Sequence, residues 1–192
     1  SLTLTLRGTS TLVLTGEEYF ARNANASLTG QLLDHLGQPL AERTVSLAWE
    51  DVAAGDRQTA PDGDFGLEHF LPIEHPLGAA QWSASFAGDF LHEESSSTRN
   101  VVVVMQPQIE FNVAGRHFYP GDSFWINGTL AMDNGTSLEG SLVLLIDGVF
   151  VTTFATNGSF SFFHTPDVSY LDVGSHQLEL RYGGDELVLD AS

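Results

Sequence analysis

Apolar and polar residues alternate along most of this chain. The alternation begins at once, where Leu2, Leu4 and Leu6 are separated by threonines. It recurs at Leu12 and Leu14, Val45 and Leu47, Phe160 and Phe162, and Leu178 and Leu180. Gly, Asn, Asp or Pro break this period of two about every 8 to 12 residues, as expected for short antiparallel strands. No stretch has a helical period, so the pattern predicts an all-β protein.

The same pattern of apolar residues and turn glycines occurs twice along the chain. The run Leu28–Leu32 (LTGQL) recurs 98 residues later as Ile126–Leu130 (INGTL). The offset of 98 also relates Gly37 to Gly135, Leu40 to Leu138, Val45 to Val143 and Leu47 to Leu145. Because turn glycines and apolar positions match in order, we infer an internal duplication.

Downstream the offset shortens slightly, as loop deletions would make it. Asp62–Phe65 corresponds to Asn157–Phe160 at an offset of 95, and Phe86–Asp89 (FAGD) to Tyr182–Asp185 (YGGD) at 96. Asp-Gly and Asn-Gly pairs favour two-residue hairpin turns, since both central residues need positive φ. The sequence therefore predicts hairpins at Asp62-Gly63, Asp147-Gly148 and Asn157-Gly158.

About seven short strands per unit predict two tandem immunoglobulin-like antiparallel β-sandwiches. We expect domain 1 at residues 10–105 and domain 2 at residues 106–192, joined near Pro107, where a proline interrupts two strand patterns. Residues 1–9 precede the first unit and are expected to form an extra strand. The linker is very short, so we expect the two sandwiches in line with limited swing.

The two units differ at their ends. After Gly88-Asp89 the first unit continues to the apolar run Val101–Val104, whereas the second stops soon after Gly184-Asp185. We therefore expect domain 2 to lack its last strand. Leu2, Leu4 and Leu6 fit that strand when shifted by 98, and they are candidates for strand donation to another copy. Such a contact does not close on itself and generates filaments. The alternative is a piece cut from a longer array.

Both units resemble the immunoglobulin-like repeats found in tandem on bacterial and archaeal surface proteins. The motifs are TGQLLDHLGQPL, the Asp-Gly-x-Phe turn and the FAGD…SSST segment before Val101–Val104. The first unit also resembles carboxypeptidase-regulatory and transthyretin-like domains. The surface-repeat resemblance implies an extracellular, non-catalytic structural protein, either a stalk segment or a filament subunit. Alternatives are a glycan- or protein-binding adhesin module and an accessory domain of a larger secreted enzyme.

Composition and charge exclude some classes of binding partner. The chain has 192 residues with 25 acidic and 7 basic ones, a formal charge of −18, and no cysteine. Such a surface repels phosphate backbones, so nucleic acid is not an expected partner. No apolar run approaches the roughly 20 residues of a membrane span, so we expect no membrane insertion. Expected partners are other copies of the chain or neighbouring repeats, joined head-to-tail, and glycans are a further candidate.

Four sequons fit the N-glycosylation pattern, at Asn25, Asn127, Asn134 and Asn157. Three of them are Asn-Gly, which turn chemistry alone explains. The acidic pairs Asp62 with Asp64 and Glu93 with Glu94 are calcium candidates, because hard oxygen ligands on loops suit that ion. None has the spacing of a known calcium loop, and a solvated acidic face explains them better. No other cofactor is expected.

No catalytic constellation is present. The seven histidines are dispersed, no Gly-x-Ser-x-Gly elbow occurs, and thiol chemistry is excluded. A tryptophan that stacks on a sugar would favour a glycan-binding module. We expect Trp82 and Trp125 in the core, which leaves Trp49, at a strand end, as the candidate for such a contact. The chain is therefore not expected to be an enzyme.

Overall fold

The computed structural model describes residues 4–115, 117–119, 121–166 and 173–192. These residues contain 14 strands and no helix, so none of their elements is a helix long and apolar enough to cross a membrane. The all-β prediction is confirmed. The chain divides into two compact units, unit 1 (Ser1–Val103) and unit 2 (Val104–Ser192). The boundary inferred from the sequence lies two residues later.

Unit 1 is a sandwich of two antiparallel sheets. Its strands are β1 (Ser10–Thr15), β2 (Tyr19–Ala21), β3 (Ala24–Asp34), β4 (Thr44–Trp49), β5 (Val52–Gln58), β6 (Asp64–Leu71), β7 (Gly78–Phe86) and β8 (Ser95–Val104). One sheet has the order β1-β3-β6 and the other β2-β8-β7-β4-β5. Consecutive strands repeatedly change sheet, which gives the immunoglobulin-like arrangement.

The core of unit 1 lies between these sheets. Leu28 and Leu32 of β3 and Phe65 of β6 belong to the same buried cluster as Leu47 of β4 and Trp82 of β7. Inward and outward residues alternate along each strand, as the period of two requires. Leu28, Leu32 and Trp82 are at most 1% exposed.

Unit 2 repeats part of this plan. Its strands are β9 (Gln108–Val113), β10 (Phe124–Ala131), β11 (Glu139–Ile146), β12 (Val149–Asn157), β13 (Ser159–His164) and β14 (Leu178–Tyr182). They form two three-stranded sheets, β9-β10-β13 and β12-β11-β14. These sheets correspond to β1-β3-β6 and β5-β4-β7 of unit 1. The fold class is therefore two tandem immunoglobulin-like sandwiches.

The sequence suggested that β4 of unit 1 and β11 of unit 2 are related by an offset of 98 residues, but in the structure this offset is 97. Both β4–β5 and β11–β12 have a register irregularity, after Leu47 and after Leu144. These two residues are therefore equivalent, and both are buried, whereas Val143 is only half-buried. The pairing of Val45 with Val143 and of Leu47 with Leu145 was wrong, because a one-residue slip moves a side chain to the other face.

One of the three predicted hairpins forms as expected. Asp147 and Gly148 both have positive φ and join β11 to β12, which pair with each other. The other two predicted hairpins are wrong, because β5 and β6, like β12 and β13, belong to different sheets. Gly63 and Gly158 have positive φ, but their turns carry the chain from one sheet to the other.

Candidate functional site

The described part of the segment before β1, residues 4–9, does not form the predicted strand. Among its described residues, 4–9, only Gly8 makes a β-bridge. Leu4 is 80% exposed and Leu6 79% exposed. An extended segment becomes a strand only beside a partner edge, and no strand of the described residues pairs with residues 4–7. Leu2 lies outside the described residues.

Gly8 is held by the loop that follows β7. Its N–H donates to the carbonyl of Leu91 (2.9 Å), and its carbonyl accepts from the N–H of Glu93 (2.9 Å). The Arg7 guanidinium donates to the carbonyl oxygens of Asp89 (3.0 Å) and His92 (2.8 Å). We call the loop residues 89–93 and the backbone of Gly8 the unit 1 clamp.

Asp89 shapes this clamp. Its Oδ1 accepts from the N–H groups of Leu91 and His92, both at 2.7 Å, and Oδ2 accepts from Arg43 Nε at 2.7 Å. Partial burial opposes ionisation of the carboxyl, but hydrogen bonds from the His92 side chain, the two backbone N–H groups and Arg43 outweigh it and lower the pKa of Asp89 well below its usual range. The Gly-Asp motif is therefore a loop-forming device.

Unit 2 has the same clamp around Met105. The N–H of Met105 donates to the carbonyl of Leu187, and its carbonyl accepts from the N–H of Leu189, both at 3.0 Å. Asp185 Oδ1 accepts from the N–H groups of Leu187 and Val188, both at 3.0 Å. Met105 directly follows β8, the last strand of unit 1. Because Gly8 and Met105 are held in the same way, Gly8 occupies the position that directly follows a last strand.

The two units differ at one sheet edge. In unit 1, β7 pairs with β8 through nine residue pairs, from Gly78↔Val103 to Phe86↔Ser95. In the described part of unit 2, the same edge of β14 carries a single bridge, Tyr182↔Ala191. Among the residues that the structure describes, no strand lies beside the rest of that edge. Unpaired backbone groups along an edge are a template for another strand.

The calcium candidates do not converge. The Oδ1 of Asp62 accepts from the N–H of Asp64 (3.2 Å) in the turn before β6. Glu93 uses its backbone in the unit 1 clamp, and the side chain of Glu94 is exposed. Within the described ranges, no group of three or more His, Cys, Asp or Glu residues could hold a metal ion.

The four sequons lie at different kinds of positions. Asn25 and Asn157 are exposed on strands β3 and β12. Asn134 is exposed in a turn, where its Oδ1 accepts from the N–H of Thr136 (3.0 Å). Asn127 is half-buried on β10, and its Oδ1 accepts from Ser161 Oγ (2.7 Å). Three of the four asparagines are accessible at the surface.

Two of the three tryptophans, Trp49 and Trp125, do not lie where the sequence suggested. Trp82 is in the core as predicted, but Trp49 is also buried, at 4% exposure, with its Nε1 donating to His75 Nε2 (2.9 Å). It cannot stack on a sugar. Trp125, expected in the core, is 46% exposed, because it alternates with the buried residues of β10.

An aromatic pair therefore lies on the outer face of unit 2. Trp125 is the cross-strand partner of Phe163, which is 50% exposed, and their ring centroids are 4.9 Å apart. The next outward pair on the same strands is Asn127↔Ser161, and Asn112 of β9 lies opposite Asn127. Half-exposed rings thus border neutral amide and hydroxyl groups.

Sequence reasoning missed the clamps and Phe163. The Gly-Asp motif was recognised as a repeat marker, but its spacing from the backbone it holds is not a local signal. Phe163 could have been found from the strict alternation Phe160, Phe162 on the inside and Ser159, Ser161, Phe163 on the outside.

The sequence matches no family model, and the search of curated proteins found no match. Among solved structures, the fibronectin(III)-like modules of Clostridium thermocellum CbhA are similar over 95% of this chain and 90% of theirs, with a TM-score of 0.42 and 13% identity. The central fibronectin-III array of RIM-binding protein has a TM-score of 0.31 and 10% identity, over 93% of this chain and 60% of that one. For Bacteroides uniformis β-glucuronidase 3 the values are 0.32 and 9%, over 95% and 24%. These values carry no inference about function, and the immunoglobulin-like arrangement is seen in the strand order of unit 1 itself.

Proposed function

We propose that this chain is a non-catalytic structural element of an extracellular surface protein, in which sandwich units join by β-strand complementation. The observation that carries the proposal is that one chain has both an exposed apolar segment and an open sheet edge. Leu4 and Leu6 are about four-fifths exposed, and the edge is that of β14. The segment holding the two leucines is fixed at Gly8, but no strand of the described part of the chain pairs with residues 4–7. A second copy offers such a partner.

The energetics favour assembly at high protein concentration. Full burial of two leucines contributes about 3 to 6 kcal/mol. Main-chain hydrogen bonds add to this, while association costs at least about 4 kcal/mol of lost freedom. The net affinity should therefore be modest. The charge of −18 also makes copies repel each other. Salt shortens the range of this repulsion, to about 3 Å at 1 M.

Sedimentation and electron microscopy of the purified chain test this proposal. We expect polymers that grow with concentration and with salt, and we expect the double variant Leu4→Asp, Leu6→Asp to stay monomeric. Leu36→Asp is the matched control, since Leu36 is also exposed (71%) but lies in a different loop, and it should polymerise like wild type. A monodisperse wild-type monomer at high concentration and about 1 M salt would falsify strand complementation.

A second candidate function is glycan binding on the outer face of unit 2. The exposed Trp125–Phe163 pair favours it, because sugar rings stack on aromatic faces while their hydroxyls bond to neighbouring amides. Trp125→Ala should then abolish retention on immobilised polysaccharide. Phe150→Ala, which truncates another exposed aromatic (63%), should leave retention unchanged. Equal retention by wild type and Trp125→Ala would exclude this face.

A further inference from the structure

The sequon at Asn127 lies on the same outward face as the exposed aromatic pair of unit 2. Along β10, Trp125, Asn127 and Thr129 alternate with Phe124 and Ile126, which are buried. Successive outward residues of a strand are about 7 Å apart. The tryptophan, the asparagine of the sequon and its threonine therefore form one row on this face.

Two aromatic rings flank the asparagine. Phe163 lies opposite Trp125 and is thus the diagonal neighbour of Asn127, whose direct partner is Ser161. Diagonal neighbours are about 7 to 8 Å apart, within reach of large side chains. The Oδ1 of Asn127 accepts from Ser161 Oγ (2.7 Å), so Nδ2 is the atom that would carry a sugar. Strand side chains stand roughly perpendicular to the sheet, and a sugar joined to Nδ2 therefore begins beside both rings.

The surroundings of Asn127, rather than its tripeptide, distinguish it from the other sequons. The same tripeptide, Asn-Gly-Thr, begins at Asn134 in an exposed turn, where the residue two positions before is Met132. Asn25 lies opposite one exposed ring, that of Phe70 (56%). Asn127 has two rings beside it, and these rings contact each other with centroids 4.9 Å apart.

Resting on the extracellular location in the proposed function, we propose that Asn127 carries an N-linked glycan whose first sugar stacks on the Trp125–Phe163 pair. In the transfer step, Nδ2 bonds to C1 of a sugar carried on a lipid diphosphate, and the bond from C1 to the diphosphate oxygen breaks. The lipid diphosphate leaves with the electron pair of that bond, and Nδ2 gives up one proton. The Thr129 hydroxyl completes the acceptor pattern.

This inference deepens the second candidate function, since the sugar on the aromatic pair belongs to the chain itself. A covalent link holds the sugar at a high effective concentration, so that even weak stacking persists. Asn112, opposite Asn127, and Ser161 offer amide and hydroxyl groups to the sugar hydroxyls. The chain that carries this glycan should therefore not be retained on immobilised polysaccharide, whereas the unmodified chain should be.

Peptide mass spectrometry and acrylamide quenching test the proposal on the chain secreted by the cells that produce it. We expect a glycan on the peptide that contains Asn127. Asn127→Gln and Thr129→Ala, made in the same cells, each remove the sequon and should raise the quenching constant of Trp125 about twofold, because the sugar no longer covers its ring. Asn134→Gln is the matched control, since it removes the identical tripeptide in the turn, and it should leave quenching unchanged.

Two results overturn the inference. One is an unmodified Asn127, and the other is a modified Asn127 whose removal leaves the quenching of Trp125 unchanged. If the chain nevertheless forms polymers, strand complementation stands. If the unmodified chain is retained on polysaccharide and Asn127 carries no glycan in the producing cells, the second candidate function stands with a sugar from another source.

Discussion

The replacement of Asp89 by Asn measures how far the unit 1 clamp depends on a charged acceptor. In the wild type one carboxylate oxygen accepts from Arg43 and the other from the N–H groups of Leu91 and His92. An amide has one acceptor oxygen, so its NH2 group faces a donor whichever way it turns. Hydrogen bonds to charged groups contribute about 1.5 to 3 kcal/mol. Because the side chains of Asp89 and Arg43 are 26% and 36% exposed, we expect a loss of about 2 kcal/mol.

Asp185→Asn in unit 2 is the internal control. The Asp185 carboxylate has two backbone N–H donors, Leu187 and Val188, on a single oxygen. An amide oxygen can accept from both, so the expected loss is about 0.5 kcal/mol. The two variants remove the same formal charge, and the difference between them isolates the contribution of Arg43 and the His92 side chain.

Urea unfolding at pH 7 provides the measurement. In a Trp125→Phe background, tryptophan fluorescence comes from Trp49 and Trp82, which both lie in unit 1. With a slope of about 1 kcal/mol per M for a domain of this size, Asp89→Asn should lower the midpoint by about 2 M. Asp185→Asn is followed through the part of the fluorescence change that the chain with Trp125 shows and the Trp125→Phe chain lacks, because Trp125 lies in unit 2. Equal midpoint shifts in the two variants would refute the argument.

The same variant has a definite pH dependence. The pKa of Asp89 is lower in the folded state than its ordinary value of about 3.9, so its contribution is fully present above that value. The contribution is lost as pH falls below about 3.9 towards the folded pKa. The stability difference between wild type and Asp89→Asn should therefore be smaller at pH 3 than at pH 7. An unchanged difference would contradict the assignment.

Three further predictions concern packing and titration. Gly30→Ala places a Cβ 2.7 Å from the carbonyl oxygen of Val13 and should cost about 2 kcal/mol in thermal unfolding, whereas Gly183→Ala, with nothing within 4 Å, should cost much less. Trp125→Phe should remove most of the fluorescence that acrylamide quenches, since the other two tryptophans are buried; unchanged quenching would place Trp125 inside. Burial lowers the pKa of His164, so wild type should lose stability as pH falls below about 6.5, and His164→Phe should lose less; parallel pH profiles would contradict this.

The fold was predictable because its signals are local. The period of two marks strands, and Gly, Asn and Asp mark the turns between them, so both sandwiches follow from the sequence. Register is not local, since a single residue gained or lost in a loop reverses a strand's faces. This is why Val143 was matched to the buried Val45, whereas Leu142 and Leu144 are the buried residues of that strand. Sheet membership is not local either, and two Asx-Gly turns therefore join different sheets.

The surface sites were predicted less well, for a different reason. Trp125 was expected inside because it is large and apolar. The alternation of inward and outward residues along its strand, with Phe124 and Ile126 buried, already placed it outside. This alternation should have outweighed the residue type. The clamps depend on a backbone contact between Gly8 and a loop more than 80 residues away. No pattern in either segment alone contains that information.

The two bridges at the clamps also determine how each unit would respond to a pulling force. Gly8↔His92 and Met105↔Val188 are parallel bridges, so the segment entering each unit runs beside the loop after its Gly-Asp motif in the same direction. Tension applied at the two ends of a unit would slide these segments lengthwise past each other. The hydrogen bonds on either side of Gly8, and of Met105, would then have to break together. Peeling them apart one by one would require a force across the segments.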